Sequence, residues 1–533
     1  MQNLPAPSPR TWWHHATFYQ VYIRSFADSD GDGVGDIGGI RARLPYLVNL
    51  GVNAIWINPF YPSPQADHGY DVADYMDIEP EYGTLVGFDA LVEDAHGRGL
   101  RVILDIVPNH TSDRHRWFQN ALSSRDHPDR AKYHFADPRP DGGPPNNWTS
   151  AFGGPAWTLD EKSGQYYLHL FAPEQPDLNW WEPSVHQEFE GILRFWFDRG
   201  VDGFRIDVAD LLYKAHRLPN SPPGKAPPAG AAGPNYEFRI GDQEEVHEVY
   251  RAWRRLADSY EPRRVFAGEI WLAPDRTAQF LRPGELHMAF TLMDAPWDAL
   301  AWRARVDAVI AAGRANEAPV ATWMQSNHDT VRHLTRLGGG VVGTRRARAA
   351  LLFLLALPGP LFVYQGEELG LPEAEVTNDM KQDPQFIRSG GTKAARDGCR
   401  VPLPWAVGQP NSGFSTGEPW LPQPAGWDAF AADRQEGDAA SMLAFYRRAL
   451  ALRGELAPSL DGDFRWRDAP AGCTVLERHA GSRGHLLAAC NFSASATEIP
   501  VEGEVLLASD TEARVTDGRL ALPADSAALL WRR

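Results

Sequence analysis

The chain has 533 residues and a net charge of -17, with 52 basic and 69 acidic side chains. That length exceeds one compact core and leaves room for a barrel of ~250 residues or more with added domains. The acidic balance excludes a phosphate-backbone binder, which needs a basic surface, and so argues against a nucleic-acid partner. A mean hydropathy of -0.39 describes a water-soluble protein. The longest apolar run, "ARAALLFLLALPGPLFVY", is broken by Pro358, Gly359 and Pro360, so no membrane span is expected.

In chain order, the opening "MQNLPAPSPRTWWHHA" lacks a charged segment followed by an apolar one, so no secretory signal is read there. Strand-like runs then recur at 17–26, 52–60, 101–107, 201–207, 264–270, 285–292, 321–327 and 359–366. Helical segments separate them. Eight such runs suit right-handed βα units closing into a barrel. Roughly ninety residues separate the third and fourth runs, far more than a βα unit needs. Segment 108–183, rich in Pro, Gly, Asn, Trp and Asp, reads as a small inserted domain. The stretch "RLPNSPPGKAPPAGAAGPN" at 217–235 cannot pack a core and reads as a disordered insertion or a rim over the pocket. "SMLAFYRRALALR" at 441–453 has a Ser cap and helical apolar spacing, as a last barrel helix would. The final residues alternate short strands and turns and suit a small β-sandwich.

The expected architecture is therefore an α/β chain. Residues 1–107 and 184–455 would form a TIM-type (β/α)8 barrel, 108–183 an insert after the third strand, and 456–533 a C-terminal β-sandwich domain. Three cysteines, Cys399, Cys473 and Cys490, are too few and too scattered for a metal site and cannot all pair internally. They read as free thiols in a reducing, cytoplasmic compartment. Nothing in the sequence sets the oligomeric state.

Acidic residues end several strand-like runs: Asp207 in "VDGFRID", Glu269 in "RVFAGEI" and Asp329 in "WMQSNHD". Buried parallel strands deliver reactive side chains to a barrel mouth in this way. Paired carboxyls across a sugar bond are what glycoside hydrolysis needs, and a third can support the developing charge. Arg205, two before Asp207, points to the same side of a strand and is expected to keep Asp207 ionised. His328 precedes Asp329, and "DIVPNH" places Asp105, Asn109 and His110 after another strand.

Near the N-terminus, "DSDGDGVGD" puts Asp28, Asp30, Asp32 and Asp36 at positions 1, 3, 5 and 9, with the Val34 carbonyl at position 7 and Gly33 at 6. This is the spacing of a Ca²⁺ loop of the EF-hand kind, although Gly39 at position 12 offers no side-chain ligand. The expectation is structural Ca²⁺, with Mg²⁺ as an alternative and an unliganded acidic turn as the plainer one.

The ordered set "GVNAIWINPFYPSP", "DIVPNH", "QPDLNW", "GFRIDVADL", "GEIWL", "SNHDTVR" and "GEELGL" resembles family 13 of the glycoside hydrolases, the α-amylase family. The motifs run through nearly the whole chain. "DHGYD", "QPDLNW" and "CRVPLPW" are most similar to its α-glucosidase and oligo-1,6-glucosidase branch. The resemblance implies Asp207 as nucleophile, Glu269 as general acid/base and Asp329 as stabiliser of the charged sugar. It implies His110, Arg205 and His328 around the non-reducing glucose, Tyr70 stacked on it, and Asp67 and Arg400 on its far hydroxyls. Phe152 and Phe171 would be aromatic walls, and the 28–36 loop would be the calcium site. The implied partner is a small oligosaccharide, cleaved with retention and with transglycosylation when a sugar replaces water. A same-fold sucrose- or trehalose-converting enzyme would share every one of these residues. Val208, after the nucleophile, resembles the α-1,6-preferring pattern, whereas "RVPLPW" departs from the branch's "RTPMQW".

Overall fold

The structure is a computed structural model and describes residues 12–221, 240–318, 321–456, 459–460 and 463–533. Its strands, in chain order, are β1 (Thr17–Val21), β2 (Ala54–Ile57) and β3 (Arg101–Ile106), then β4 (Phe135–Ala136), β5 (Trp157–Asp160) and β6 (Gln165–Leu168). They continue with β7 (Gly203–Ile206), β8 (Val265–Gly268), β9 (Met288–Leu292), β10 (Thr322–Met324) and β11 (Leu361–Tyr364). The closed barrel runs β1-β11-β10-β9-β8-β7-β3-β2. Every adjacent pair in it is parallel.

Side chains alternate across each barrel strand. One face packs outward on the helices, as Tyr19, Ile55, Phe204 and Phe266 do. The other fills the interior, where Phe18, Trp56, Ile103, Val265, Ala267, Met324 and Phe362 form one apolar plug. Continuing the inward register toward the C-terminal ends of the strands reaches Gln20, Asn58, Asp105 and Arg205, all buried. A polar layer thus crowns an apolar plug, and this layer is where a site can form.

The insert between β3 and β7 carries a three-stranded sheet, β4-β6-β5. The chain leaving the insert is fastened to the barrel: Asp177 bridges to His110, and the Asp177 carboxylate meets the fully buried Lys214 ammonium at 2.7 Å. Lys214, which follows β7, also donates to Asn109 Oδ1 at 2.6 Å. The Pro/Gly/Ala-rich stretch lies outside the described residues from 222 onward. Its first residues dock on the insert, with Trp148 Nε1 donating to Pro219 O and Asn146 Nδ2 to Leu218 O.

The helix Met442–Leu456 starts where the Ser cap predicts, Ser441 Oγ accepting from Ala444 N. The C-terminal region adds β12 (Phe464–Arg467), β13 (Cys473–His479), β14 (His485–Asn491), β15 (Thr497–Pro500), β16 (Glu504–Ala508), β17 (Arg514–Thr516), β18 (Arg519–Leu522) and β19 (Ser526–Arg532). They form a five-stranded sheet, β12-β13-β14-β19-β16, and a three-stranded sheet, β15-β18-β17. Val475, Leu487 and Leu530 of the first share an apolar cluster with Ile499 and Leu520 of the second. The run expected over 17–26 stops as a strand at Val21, because Ile23–Ser25 coil into a 3-10 turn.

Candidate active site

Residue pairing places the polar crown. Asp105 on β3 lies beside Arg205 on β7, and Ile206 beside Gly268 on β8. Asp207 and Glu269 therefore follow adjacent strands, each anchored by its own amide: Asp207 N to Ile106 O and Glu269 N to Ile206 O, both at 2.9 Å. Arg205 joins all three carboxylates. Its Nη1 donates to Asp105 Oδ1 and Asp207 Oδ1 at 2.6 Å each, and its Nη2 faces Glu269 Oε2 at 2.6 Å.

Arg205 is placed as expected to favour the ionised form of Asp207, but burial works against it. Burial pushes the Asp207 carboxyl well above the usual range against the pull of Arg205, and Glu269 and Asp105 push the same way. Asp105 is raised to about 6, again by burial against Arg205. One guanidinium faces three carboxylates, so full ionisation of the cluster is opposed.

Asp329 behaves oppositely. Burial opposes its charge, yet the His328 N–H beside it and the guanidiniums of Arg396 and Arg400 hold it well below the usual carboxylate range. Arg396 Nη1 and Arg400 Nη2 donate to its Oδ1 at 2.9 and 2.7 Å. His328 is kept neutral by burial. Gln20 Nε2 donates to His328 Nδ1 at 2.8 Å, so the ring hydrogen sits on Nε2, facing Tyr70 Oη at 2.6 Å and Asp329 Oδ2 at 3.1 Å.

A pocket of about 390 Å³ opens over this layer. Eight predicted residues line it: Asp67, Tyr70, His110, Phe152, Phe171, Asp207, Glu269 and Asp329. Three do not. Arg205 and His328 lie beneath its floor, and Arg400 sits behind Asp329, bonded to His328 O and packed over Tyr22. The wall position expected of Arg400 belongs to Arg396, which the sequence reading missed. Arg396 bridges Asp329, Asp67 (3.2 Å) and Asp383 (2.8 Å) and lies over the Phe152 ring at 5.4 Å. Its signal was the i, i+4 pair of arginines in "ARDGCR". Gln175 was also missed; it donates to Asp67 Oδ2 at 3.1 Å and lies beside the His110 ring, 3.0 Å from Nε2. Lys393, another lining residue, donates to Ala151 O, tying the segment after β11 to the insert. His110 is held near 3 by burial and so is neutral.

Two further details bear on the sequence reading. Val208 has a φ of 38°, unusual for a β-branched residue, and this turns its amide onto Glu269 Oε2 at 3.0 Å. Val401 and Leu403 of the divergent "RVPLPW" are fully buried, so that departure repacks the core beneath the rim. A larger cavity of about 840 Å³ lies between β9 and the helix Ala299–Ala315, lined mainly by apolar side chains and touching the site only at Trp271.

In the 28–36 loop, carboxylate oxygens of Asp28, Asp30 and Asp36 lie within 4.8 Å of one another. Asp32 is not in this group; its Oδ1 accepts from Val34 N at 2.8 Å. Asp36 also caps the helix Ile37–Leu50 through Gly39 N. Gly33, with φ of +98°, packs so closely on Glu418 that a Cβ would stand 1.9 Å from its carbonyl oxygen. The loop thereby braces the segment that carries Trp420, whose indole donates to Ser25 Oγ.

The alpha amylase catalytic domain model matches residues 20–461, and a domain of unknown function matches 462–529. A protein from Rhizobium meliloti (strain 1021) named a probable alpha-glucosidase is 39% identical over 531 residues, covering 97% of this chain and 96% of that protein. An oligo-1,6-glucosidase from Parageobacillus thermoglucosidasius is 36% identical, covering 83% and 84%. Among solved structures, an alpha-glucosyl transfer enzyme superposes with a TM-score of 0.90 at 39% identity, covering 98% of this chain and 99% of that one. The trehalulose synthase of Pseudomonas mesoacidophila MX-45 gives 0.89 at 33%, with the same coverage.

Proposed function

Because this chain belongs to the α-amylase family of glycoside hydrolases, we propose that it is a retaining, exo-acting α-glucosidase releasing α-glucose from the non-reducing end of short α-glucosides such as maltose, isomaltose and sucrose. The observation that carries the reading is the pairing of Asp207 and Glu269 on opposite arms of one buried guanidinium, at the floor of a small pocket walled by Asp67, Tyr70 and Arg396. Glu269 gives its proton to the leaving oxygen while Asp207 attacks C1, forming a β-glucosyl ester. Glu269 then takes a proton from water, which releases glucose with its α configuration. Asp329, held ionised by arginines, faces the positive charge that builds on the ring. The Arg396 bridge and the Lys393 tie close the far side, which suits a single terminal sugar.

The alternative is a glucosyltransferase or isomerase using the same intermediate; the likeness to an alpha-glucosyl transfer enzyme and a trehalulose synthase favours keeping it. Glucose release from maltose, isomaltose, sucrose and trehalose, assayed side by side, decides. Rapid release from maltose or isomaltose supports the glucosidase. Conversion of sucrose or trehalose to an isomer without net glucose overturns it. Asp28, Asp30 and Asp36 fit a hard cation, and structural Ca²⁺ there would neutralise three clustered charges, away from the bond being cut. The three cysteines are free and buried, which supports the reading of a reducing, cytoplasmic setting.

A further inference from the structure

We infer that Trp271 is a positioning residue for Glu269: the proton delivered to the leaving oxygen sits on Oε1, and the Trp271 indole fixes where that oxygen points. The inference rests on the acid/base role of Glu269 proposed above. The two carboxyl oxygens are not equivalent. Oε2 accepts from Val208 N at 3.0 Å and faces Arg205 Nη2 at 2.6 Å. A hydrogen on Oε2 would collide with two donors, one of them cationic. Oε1 meets a single donor, Trp271 Nε1 at 3.0 Å. A protonated Oε1 keeps a lone pair for the indole while its own hydrogen turns to the pocket, which Trp271 also lines. As the C1–O bond breaks, that hydrogen passes to the departing oxygen while Asp207 bonds to C1. In the second half, the same oxygen takes the proton from water. Without the indole, the carboxyl is pinned at one end only and Oε1 swings. Trp271 is 36% exposed, so replacing it opens no core.

The test compares kcat/KM for maltose with that for α-glucosyl fluoride, whose leaving group needs no proton. Trp271→Phe keeps a ring and loses the donor; Trp271→Gln keeps an N–H donor and loses the ring. Trp271→Phe is expected to lower kcat/KM for maltose by about 10- to 100-fold, a part of the ~10²–10⁴-fold that a positioned general acid contributes, while leaving the fluoride within about threefold. Trp271→Gln is expected to retain more maltose turnover than Trp271→Phe. Equal losses on both substrates at an unchanged melting temperature, or no loss in Trp271→Phe, would overturn the inference. Wild-type protein inert on both substrates would instead overturn the glucosidase reading, and this inference with it.

Discussion

Arg396 joins three carboxylates from three parts of the chain, Asp67, Asp329 and Asp383, and it is 15% exposed at the pocket wall. Removing it leaves Asp67 and Asp383 without their cation, although Asp329 keeps Arg400, and breaking such buried pairs costs about 3–5 kcal/mol. Arg396→Leu is therefore expected to lower kcat/KM on maltose by at least ~100-fold. Arg396→Lys should recover little, because an ammonium cannot bridge three acids as the planar fork does. Kinetics of both variants beside a thermal melt would check this, and near-wild-type turnover in Arg396→Leu would refute it. Asp105, Arg205, Asp207 and Glu269 were legible because inward alternation along a strand fixes their direction. Arg396 was obscure because it sits just before the short helix Asp397–Arg400, where no periodicity points a side chain.

Among elements, the barrel strands were legible from their apolar runs, and the insert from its length. Strand ends were not. β1 yields to a turn at Ile23 because Arg24 swings to His68 and stacks on Trp420, contacts from loops far along the chain. The 28–36 loop shows the same limit: its spacing offers four carboxylates, yet those of Asp28, Asp30 and Asp36 converge and that of Asp32 does not. If Ca²⁺ occupies the loop, chelation removes its binding free energy from the folded state. The melting temperature should then fall by several degrees in EDTA and recover on adding Ca²⁺. Identical melts with and without EDTA, in protein free of bound metal, would leave the loop as an acidic turn.

At the scale of the molecule, buried titratable groups set the pH dependence of stability. His110, His115, His134 and His333 are each lowered to about 3 by burial. Unfolded histidine titrates near 6.5. The unfolded chain thus binds more protons, and stability is lost as pH falls from about 6.5 toward 3. Burial raises Asp210 to about 7 and Glu367 to about 8. There the folded chain holds the extra protons, so stability present below about 4 is lost as pH rises toward 8. The two trends oppose; four histidines outweigh two acids until the unfolded imidazoles lose their protons, so a maximum of melting temperature at roughly pH 6–7 follows. Glu367→Gln, which mimics the protonated acid, should flatten the alkaline side; an unchanged profile would contradict the assignment.

The central claim is a double displacement through Asp207 and Glu269. Proton NMR of the first glucose released from p-nitrophenyl α-glucoside, where every glucose comes from the sugar that is attacked, tests it most directly. The account predicts the α anomer, with mutarotation to the β form following only later. The β anomer appearing first would mean a single displacement by water and would contradict it.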